Sequence, residues 1–263
     1  MPPERSSVAS YPSFDRGANM RLMLSSKQTL TRRGLAVLAG ATLAIGAIAG
    51  CTHKKDTAST DSGPLPAASD LMSQSEQVMS SLSSAHFTID VKGTLPGVPL
   101  QSAQGDLTKE GNAKGTAKIT ELGSSIEADF VILGQDFYLN AGTGGFQKLP
   151  LATASSIFDP SAILDPNRGI VKLMSAATDT KTVAKEQVNG KDAYKVSLTA
   201  DPASVSGLIP GAGAGTKGDI WIDATTHEVV KGVFTVPGAN GAKGATVTVG
   251  ISNFNVPVTI SAP

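Results

Sequence analysis

The sequence predicts an α+β domain built on a single antiparallel β-sheet with one apolar and one polar face. In several segments apolar and polar residues alternate with a period of two, which is typical of strands with one buried face. Asn189-Gly190, the strongest hairpin-turn signal in the chain, joins two such segments. Three Asp-Pro pairs, at Asp159-Pro160, Asp165-Pro166 and Asp201-Pro202, each indicate a helix start with Asp as the N-cap.

The elements can be justified in chain order. A first helix is predicted because apolar residues recur with a helical period, and Ser69 or Asp70 is its expected cap. These residues are Leu71, Met72, Val78, Met79 and Leu82. Alternating strands are then predicted within 85–95, 115–123 and 124–134, followed by a hairpin within 135–149 and short helices at 160–164 and 166–176. Strands are predicted again within 178–200, helical turns within 201–209, a hairpin within 218–237 and a closing strand after 244. The pattern therefore predicts about ten strands and three or four helical pieces.

The apolar faces of these strands form the predicted inner side of the sheet. If the sheet curves, they line its concave side: Phe87, Ile89, Val91, Ala117, Ile119, Ile126, Ala128, Phe130, Ile132, Tyr194, Val196, Val230, Phe234, Val247 and Val249. The helices must cover this side. Complete cover would give an ordinary core and loose cover would leave a tunnel, and the residues leave both arrangements open. An aromatic content of 5% with 28 glycines fits an unfilled core, and it also fits a genome that favours Gly and Ala codons.

The N-terminal segment predicts export and lipidation. An apolar stretch follows Arg32-Arg33 and ends at Cys51, which is the only cysteine. A basic region, an apolar stretch shorter than the roughly 20 residues of a membrane span, and small residues before a cut indicate a secretory signal. Ile48-Ala49-Gly50 before Cys51 resembles the bacterial lipobox, which implies diacylglyceryl transfer to the Cys51 thiol and cleavage before it. An incidental cysteine and an uncleaved anchor are the alternatives. Met20 and Met23 are plausible true starts.

The predicted organisation is a signal peptide at 1–50, a lipidated cysteine and flexible tether at 51–65, and one domain at 66–263. Residues 1–50 hold six of the 22 Lys/Arg and two of the 22 Asp/Glu, so the mature chain carries a net charge of −4. Without a basic stripe, nucleic-acid binding is not expected. With a single cysteine, neither disulfides nor a thiolate metal site is expected.

No catalytic constellation is predicted, and an enzyme is not expected. Gly213 to Gly218 matches the glycine pattern of dinucleotide-binding loops, but a strand and not a helix follows it, so it is interpreted as a loop. Glu127 and Asp129 pair on one strand face as glycosidase carboxylates do, yet that face is the polar, solvated one.

The chain resembles the LppX/LprAFG lipoproteins of mycobacteria, and it looks closest to the LprA, LprF and LprG group. The resemblance covers nearly the whole mature chain, and its most specific pieces lie at 84–108, 124–140, 157–174 and 188–197. None of these pieces is a catalytic motif, so their order and spacing carry the match.

The resemblance implies a strongly curved antiparallel half-barrel like the carriers LolA and LolB, with helices over the concave side and an apolar cavity. It implies a bound di- or triacylated lipid as cargo, such as a multi-acyl glycolipid or triacylglycerol, and no other cofactor. It also implies anchoring to the outer face of the plasma membrane through Cys51, carriage of lipid across the cell envelope, an envelope lipid transporter as partner, and agonism of host Toll-like receptor 2. The alternative is a lipoprotein with a filled core that docks onto a transporter or scaffold.

The mouth of the cavity is predicted from the loops. Gly-rich loops at Gly142–Gly145 and Gly211–Gly218 could flex there. The helices opened by Asp159-Pro160 and Asp165-Pro166 are candidate lids.

Overall fold

The structure is a computed structural model, and it describes residues 63–95, 97–121, 123–142, 144–152, 159–238 and 243–263. The predicted signal peptide, the lipobox at Ile48, Ala49 and Gly50, the lipidation site Cys51 and most of the predicted tether lie outside the described residues. So do the alternative starts Met20 and Met23.

The described chain forms one 11-stranded antiparallel sheet and a few short helices. The strands are β1 (Ser84–Gly93), β2 (Leu100–Thr108), β3 (Ala113–Glu121), β4 (Ser124–Leu133), β5 (Asp136–Asn140), β6 (Gln147–Pro150), β7 (Thr178–Val188), β8 (Lys191–Thr199), β9 (Lys217–Asp223), β10 (Val229–Val236) and β11 (Ala245–Ser252). The helices are α1 (Ala68–Ser80), a 3₁₀ turn (Pro160–Ala162), α2 (Ile170–Ala176) and α3 (Pro202–Leu208).

Two meanders meet in the middle of the sheet. The strand order is β6-β5-β4-β3-β2-β1-β11-β10-β9-β8-β7, so consecutive strands pair throughout except β6 and β7, and β1 pairs with β11. The sheet is open, because β6 and β7 are its two edges. The predicted single antiparallel sheet is therefore confirmed.

One face of the sheet is apolar and carries the helices. Along β1, Phe87 and Ile89 are buried, while Thr88 and Asp90, which alternate with them, are exposed. The helices bury apolar side chains against this inner face, as Leu71 does from α1. Burial of one face only is the reason for the alternation that the sequence shows.

The helix starts follow the Asp-Pro prediction at two of three places. Asp201 caps α3 through a hydrogen bond from the Ser204 N–H, and Asp159 caps the 3₁₀ turn through the Ser161 N–H. Asp165-Pro166 opens a turn instead, and α2 begins only at Ile170.

Gly169, the N-cap residue of α2, lies where two stretches of backbone approach closely. A Cβ on Gly169 would lie 2.3 Å from the backbone oxygens of Ala162 and Ile163, so the chain passes here too closely for any side chain. The N-cap of α1 is also corrected: it is Ala67, which makes no side-chain hydrogen bond, and neither Ser69 nor Asp70 has that place.

The strand β2 is missing from the sequence prediction. Its inner-face residues are Ala103, Gly105 and Leu107, and small residues at the first two conceal the alternation. Gly105 pairs with Phe87 on one side and with Gly115 of β3 on the other. Glycine inside a strand marks a place where two backbones approach closely or a sheet bends sharply.

Candidate functional site

Two apolar cavities lie between the inner face of the sheet and the helices. The first, of about 20 Å³, is lined by Ile89, Val91, Leu95, Val98, Leu100, Ile163, Ile170, Leu208, Ile209, Pro210, Val247 and Val249. The second, also of about 20 Å³, is lined by Ile170, Leu173, Leu208, Ile220, Val229, Gly232, Phe234, Val249 and Ile251. Among the described residues, none that lines either cavity has a polar side chain.

Ile170, Leu208 and Val249 line both cavities and stand between them. Each cavity has about the volume that one water molecule needs, so in this state the core is nearly filled. Ile170 and Leu208 belong to the short helices α2 and α3, whereas Val249 belongs to the sheet. Movement of α2 and α3 away from the sheet would therefore join the two cavities into one.

The predicted inner-face residues lie on the helix-covered face, with few exceptions. Those in the buried core are Phe87, Ile89, Phe130, Ile132, Val196, Phe234, Val247 and Val249. Those half-buried and packed against it are Val91, Ala117, Ile119 and Tyr194. Of all these, the walls of the two cavities include Ile89, Val91, Phe234, Val247 and Val249.

Three predicted positions differ from these. Ala128 is buried but lies outside the core cluster, and Ile126, the third residue of β4, is half-buried but is not among the residues packed against that cluster. The predicted inner position of Val230 is corrected by the structure, because the register of β10 shifts between Val229 and Lys231. The bulge inserts one extra residue into the strand, so Val229 takes the inner position opposite Ile222 and is 2% exposed.

The sequence prediction missed the cavity walls that come from loops and short helices. Leu95 and Val98 face each other through an isolated bridge in the β1–β2 loop, and both are buried. Ile209 and Pro210 come directly after α3 and also line the first cavity. Their only signal was apolar character inside a segment rich in Pro and Gly, where no period shows which side is buried.

The segment before α2 is tied by charged groups. Arg168 Nε donates to Asp165 Oδ2 at 2.7 Å, and Arg168 Nη1 donates to Asp159 Oδ2 at 3.3 Å. Partial burial raises the pKa of Asp165, but the hydrogen bonds from Arg168 and from the Asn167 N–H outweigh it and leave that pKa below its ordinary value. The Asp165 hydrogen bond raises the pKa of Arg168. These ion pairs therefore tie Asp159, Asp165 and Arg168 together in the segment that the sequence predicts as a lid.

Of the two loops predicted at the mouth, one adjoins the first cavity and the other does not. Ile209 and Pro210, which line the first cavity, lead directly into the loop that begins at Gly211. The described residues of the Gly142–Gly145 turn line neither cavity. The Gly213–Gly218 segment runs into β9, as predicted for a loop before a strand.

The polar residues considered for catalysis are on the outer face. Glu127 and Asp129 are exposed there, and Glu127 lies 3.8 Å from the Lys118 ammonium. Among the described residues, no group of three or more His, Cys, Asp and Glu side chains could hold a metal ion. No helix within the described part of the chain is long and apolar enough to cross a membrane.

A family profile described as LppX_LprAFG lipoprotein matches residues 67–260. The chain belongs to this family. The LppX_LprAFG match spans the sheet and the helices, and it confirms the resemblance of the sequence pieces quoted above.

The matches with relatives from the LppX_LprAFG family extend over almost the whole length of each relative. The chain is 30% identical over 237 residues to the lipoarabinomannan carrier protein LprG of Mycobacterium leprae, which is 88% of this chain and 96% of that one. It is 28% identical over 246 residues to the putative diacylated glycolipid transporter LprF of Mycobacterium bovis, covering 87% of this chain and 91% of the relative.

Solved family structures confirm the predicted curved-sheet α+β fold. The crystal structure of LprF from Mycobacterium bovis superposes with a TM-score of 0.64 at 25% identity, covering 74% of this chain and 96% of LprF. The crystal structure of LppX from Mycobacterium tuberculosis gives a TM-score of 0.56 at 20% identity, covering 73% of this chain and 99% of LppX.

Proposed function

We propose that this protein binds lipids with two or three acyl chains between its sheet and its helices and carries them across the cell envelope. The cargo class is a multi-acyl glycolipid or triacylglycerol. The observation that carries the proposal is the pair of apolar cavities on the inner face, separated by Ile170 and Leu208. The names of the relatives LprG and LprF, a lipoarabinomannan carrier and a putative diacylated glycolipid transporter, support it.

The closed core itself favours several acyl chains over one. Opening it moves Ile170, Leu173 and Leu208 from their contacts, and burial of each such side chain is worth about 1.5–3 kcal/mol. Each buried methylene of a ligand contributes about 0.8 kcal/mol, so roughly ten buried methylenes are needed to offset the opening, and every further chain adds to the surplus. Binding would thus need no covalent reaction and few polar contacts.

The N-terminal sequence supports the proposed place of action. Lipidation of Cys51 would anchor the domain to the outer face of the plasma membrane, because two or three acyl chains hold a protein stably on a bilayer. The tether would leave the domain free to reach an envelope lipid transporter. The same acylated cysteine is the group through which the protein would act on host Toll-like receptor 2.

Native mass spectrometry tests the proposal. The chain from residue 52 contains the whole compact unit that begins at Thr60, and it can be secreted from a mycobacterial host and purified without detergent. We expect a stoichiometric adduct that extraction identifies as a lipid with two or three acyl chains. A bare mass, with no uptake of added glycolipid, would contradict the proposal.

Val249→Trp is the blocking variant, because Val249 lines both cavities. Its lipid loading is expected to fall at least tenfold, while Val183→Trp, at a position 41% exposed on the edge strand β7, loads normally. Circular dichroism checks that both variants fold. If Val249→Trp does not fold, Ile170→Phe adds less volume in the same wall.

The small cavity volume favours a second candidate function, that of a docking lipoprotein. A core with cavities of only about 20 Å³ is also what a docking lipoprotein would have, one that binds a transporter or scaffold and carries nothing. Uptake of an apolar dye by the chain from residue 52 separates the two, since a filled core takes up none.

A further inference from the structure

A polar groove lies on the outer side of the wall that closes the first cavity. It has a volume of about 620 Å³, within the range of small-molecule sites. Val91, Leu95, Val98 and Leu100 line both the groove and the apolar cavity. The two spaces are thus separated by one layer of four apolar side chains.

A β-bulge in β2 determines which side chains line the groove and which line the cavity at this border. The pairing of β2 with β3 shifts register between Leu100 and Ser102, which makes Gln101 the extra residue. Leu100 is buried and lines the apolar cavity, while Gln101 lines only the groove. The bulge therefore places an apolar and an amide side chain next to each other along the chain, the amide on the polar side of the border.

Gln101 is held in one orientation by its neighbours. Its Nε2 donates to Thr120 Oγ1 at 2.6 Å, and its Oε1 accepts from Ser125 Oγ at 3.0 Å. A Gln side chain has two donor hydrogens and two acceptor lone pairs, so these bonds leave one of each for a ligand. A fixed amide with one donor and one acceptor fits a hydroxyl group, which also both donates and accepts.

The charges around the groove balance. Asp90, Ser102 and Lys118 lie in one row across β1, β2 and β3 on the outer face. Among the described residues that line the groove, Lys118 is the one cation, and its ammonium lies 3.8 Å from the Glu127 carboxylate. A phosphate would call for unpaired cations, preferably Arg. Balanced charges with amide and hydroxyl groups favour an uncharged, polyhydroxylated group.

We infer that this groove is the headgroup site for the sugar of a glycosylated lipid whose acyl chains enter the apolar core past the four apolar side chains that line both spaces. The inference rests on the proposed function, because it assigns the polar half of the same ligand. A sugar linked to a diacylglycerol would have its hydroxyls at Gln101 and Thr120 while its chains pass the four shared apolar side chains.

The test compares three lipids with identical acyl chains: diacylglycerol, monoglucosyl diacylglycerol and phosphatidic acid. Each displaces an apolar fluorescent dye from the chain secreted from residue 52. We expect the glucosyl lipid to bind at least tenfold more tightly than the other two. Gln101→Ala is expected to reduce this preference at least fivefold and to leave diacylglycerol affinity unchanged. Gln104→Ala, on the outer face of the same strand but outside the groove, is the matched control.

The outcomes separate the two proposals. Equal affinity for all three lipids, or a preference that Gln101→Ala leaves intact, would overturn the headgroup site while lipid carriage stands. Failure of both the dye and every lipid to bind would remove the proposed function itself. Free glucose is the last arm: Gln101-dependent glucose binding without any preference among the lipids would overturn the assignment to a lipid headgroup.

Discussion

Gly105 of β2 faces Gly115 of β3 so closely that neither position has room for a side chain. A Cβ on Gly105 would lie 2.1 Å from the Lys114 backbone oxygen, and a Cβ on Gly115 would lie 2.0 Å from that of Gln104. The two glycines therefore let the backbones of β2 and β3 meet on the inner face.

Gly105→Ala is expected to lower the free energy of unfolding by about 1–3 kcal/mol, the usual cost of overpacking a filled site. Urea denaturation measures it. Gly213→Ala is the control, because a Cβ there meets nothing within 4 Å, and it should change stability little. Equal effects of the two substitutions would mean that the close approach does not matter.

The strands with larger inner residues could be predicted from the sequence, whereas this pair could not. Phe87 and Ile89 show their face by alternation, but Ala103 and Gly105 carry too little apolar surface to show a period. Bulges also leave no periodic signal, which is why Val230 was predicted in the place that Val229 holds.

The cavity walls were the least predictable part of the candidate site. Leu95 reaches the cavity from a loop, where burial depends on tertiary packing and not on a local repeat. The start of α2 had a misleading signal, since Asp165 accepts from Arg168 and the Asn167 N–H and not from the first turn of a helix.

Arg168→Gln is expected to speed the entry of an apolar dye several-fold, because it removes both ion pairs that Arg168 makes in the segment before α2. Stability should fall by less than about 1 kcal/mol, since the Arg168 side chain is 52% exposed. Stopped-flow fluorescence measures the rate. Lys172→Gln, an exposed cation on α2, is the control, and an unchanged rate in Arg168→Gln would place the lid elsewhere.

Acid is expected to unfold the protein through its hydrogen-bonded carboxylates. Burial raises the pKa of Asp223, but the N–H groups of Thr226 and Thr225 outweigh it and hold that pKa below its usual range. The Ser204 N–H likewise lowers the pKa of Asp201. A lowered folded-state pKa gives stability that is present above the unfolded value of about 3.9 and is lost as the pH falls through the folded value.

The Tm should therefore change little from pH 7 to 5 and fall steeply below about pH 4. Asp223→Asn should lower the Tm at pH 7 and flatten the acid limb, while Asp129→Asn, on the exposed outer face, should leave the profile as it is. Differential scanning calorimetry gives both curves. An acid limb of the same steepness in Asp223→Asn would exclude Asp223 as a source of the acid sensitivity.

Trp221, the only tryptophan, is covered on the outer face by two lysines. The ammonium of Lys231 lies 4.4 Å from its ring centre and that of Lys195 lies 5.1 Å away, while the indole N–H donates to Glu186 at 2.8 Å. Lys231→Met keeps the aliphatic cover and removes the charge, so it should destabilise the fold by about 0.5–1 kcal/mol. Urea unfolding followed by Trp221 fluorescence measures it, and Lys217→Met on β9 is the control. Equal effects of the two would exclude the cation–ring contact.

The pairing of β1 with β11 has a consequence for the order of assembly. In the centre of the sheet, β1 pairs with β11, the last strand of the sheet in the chain. The second neighbour of β1 is therefore the strand that is synthesised last. A chain that emerges N-terminus first can form each meander as it appears, but the two halves join only when the C-terminal strand has arrived. The joining of the two halves is therefore a check on completeness, because a chain truncated before Ala245 has two half-sheets and lacks the strand that joins them.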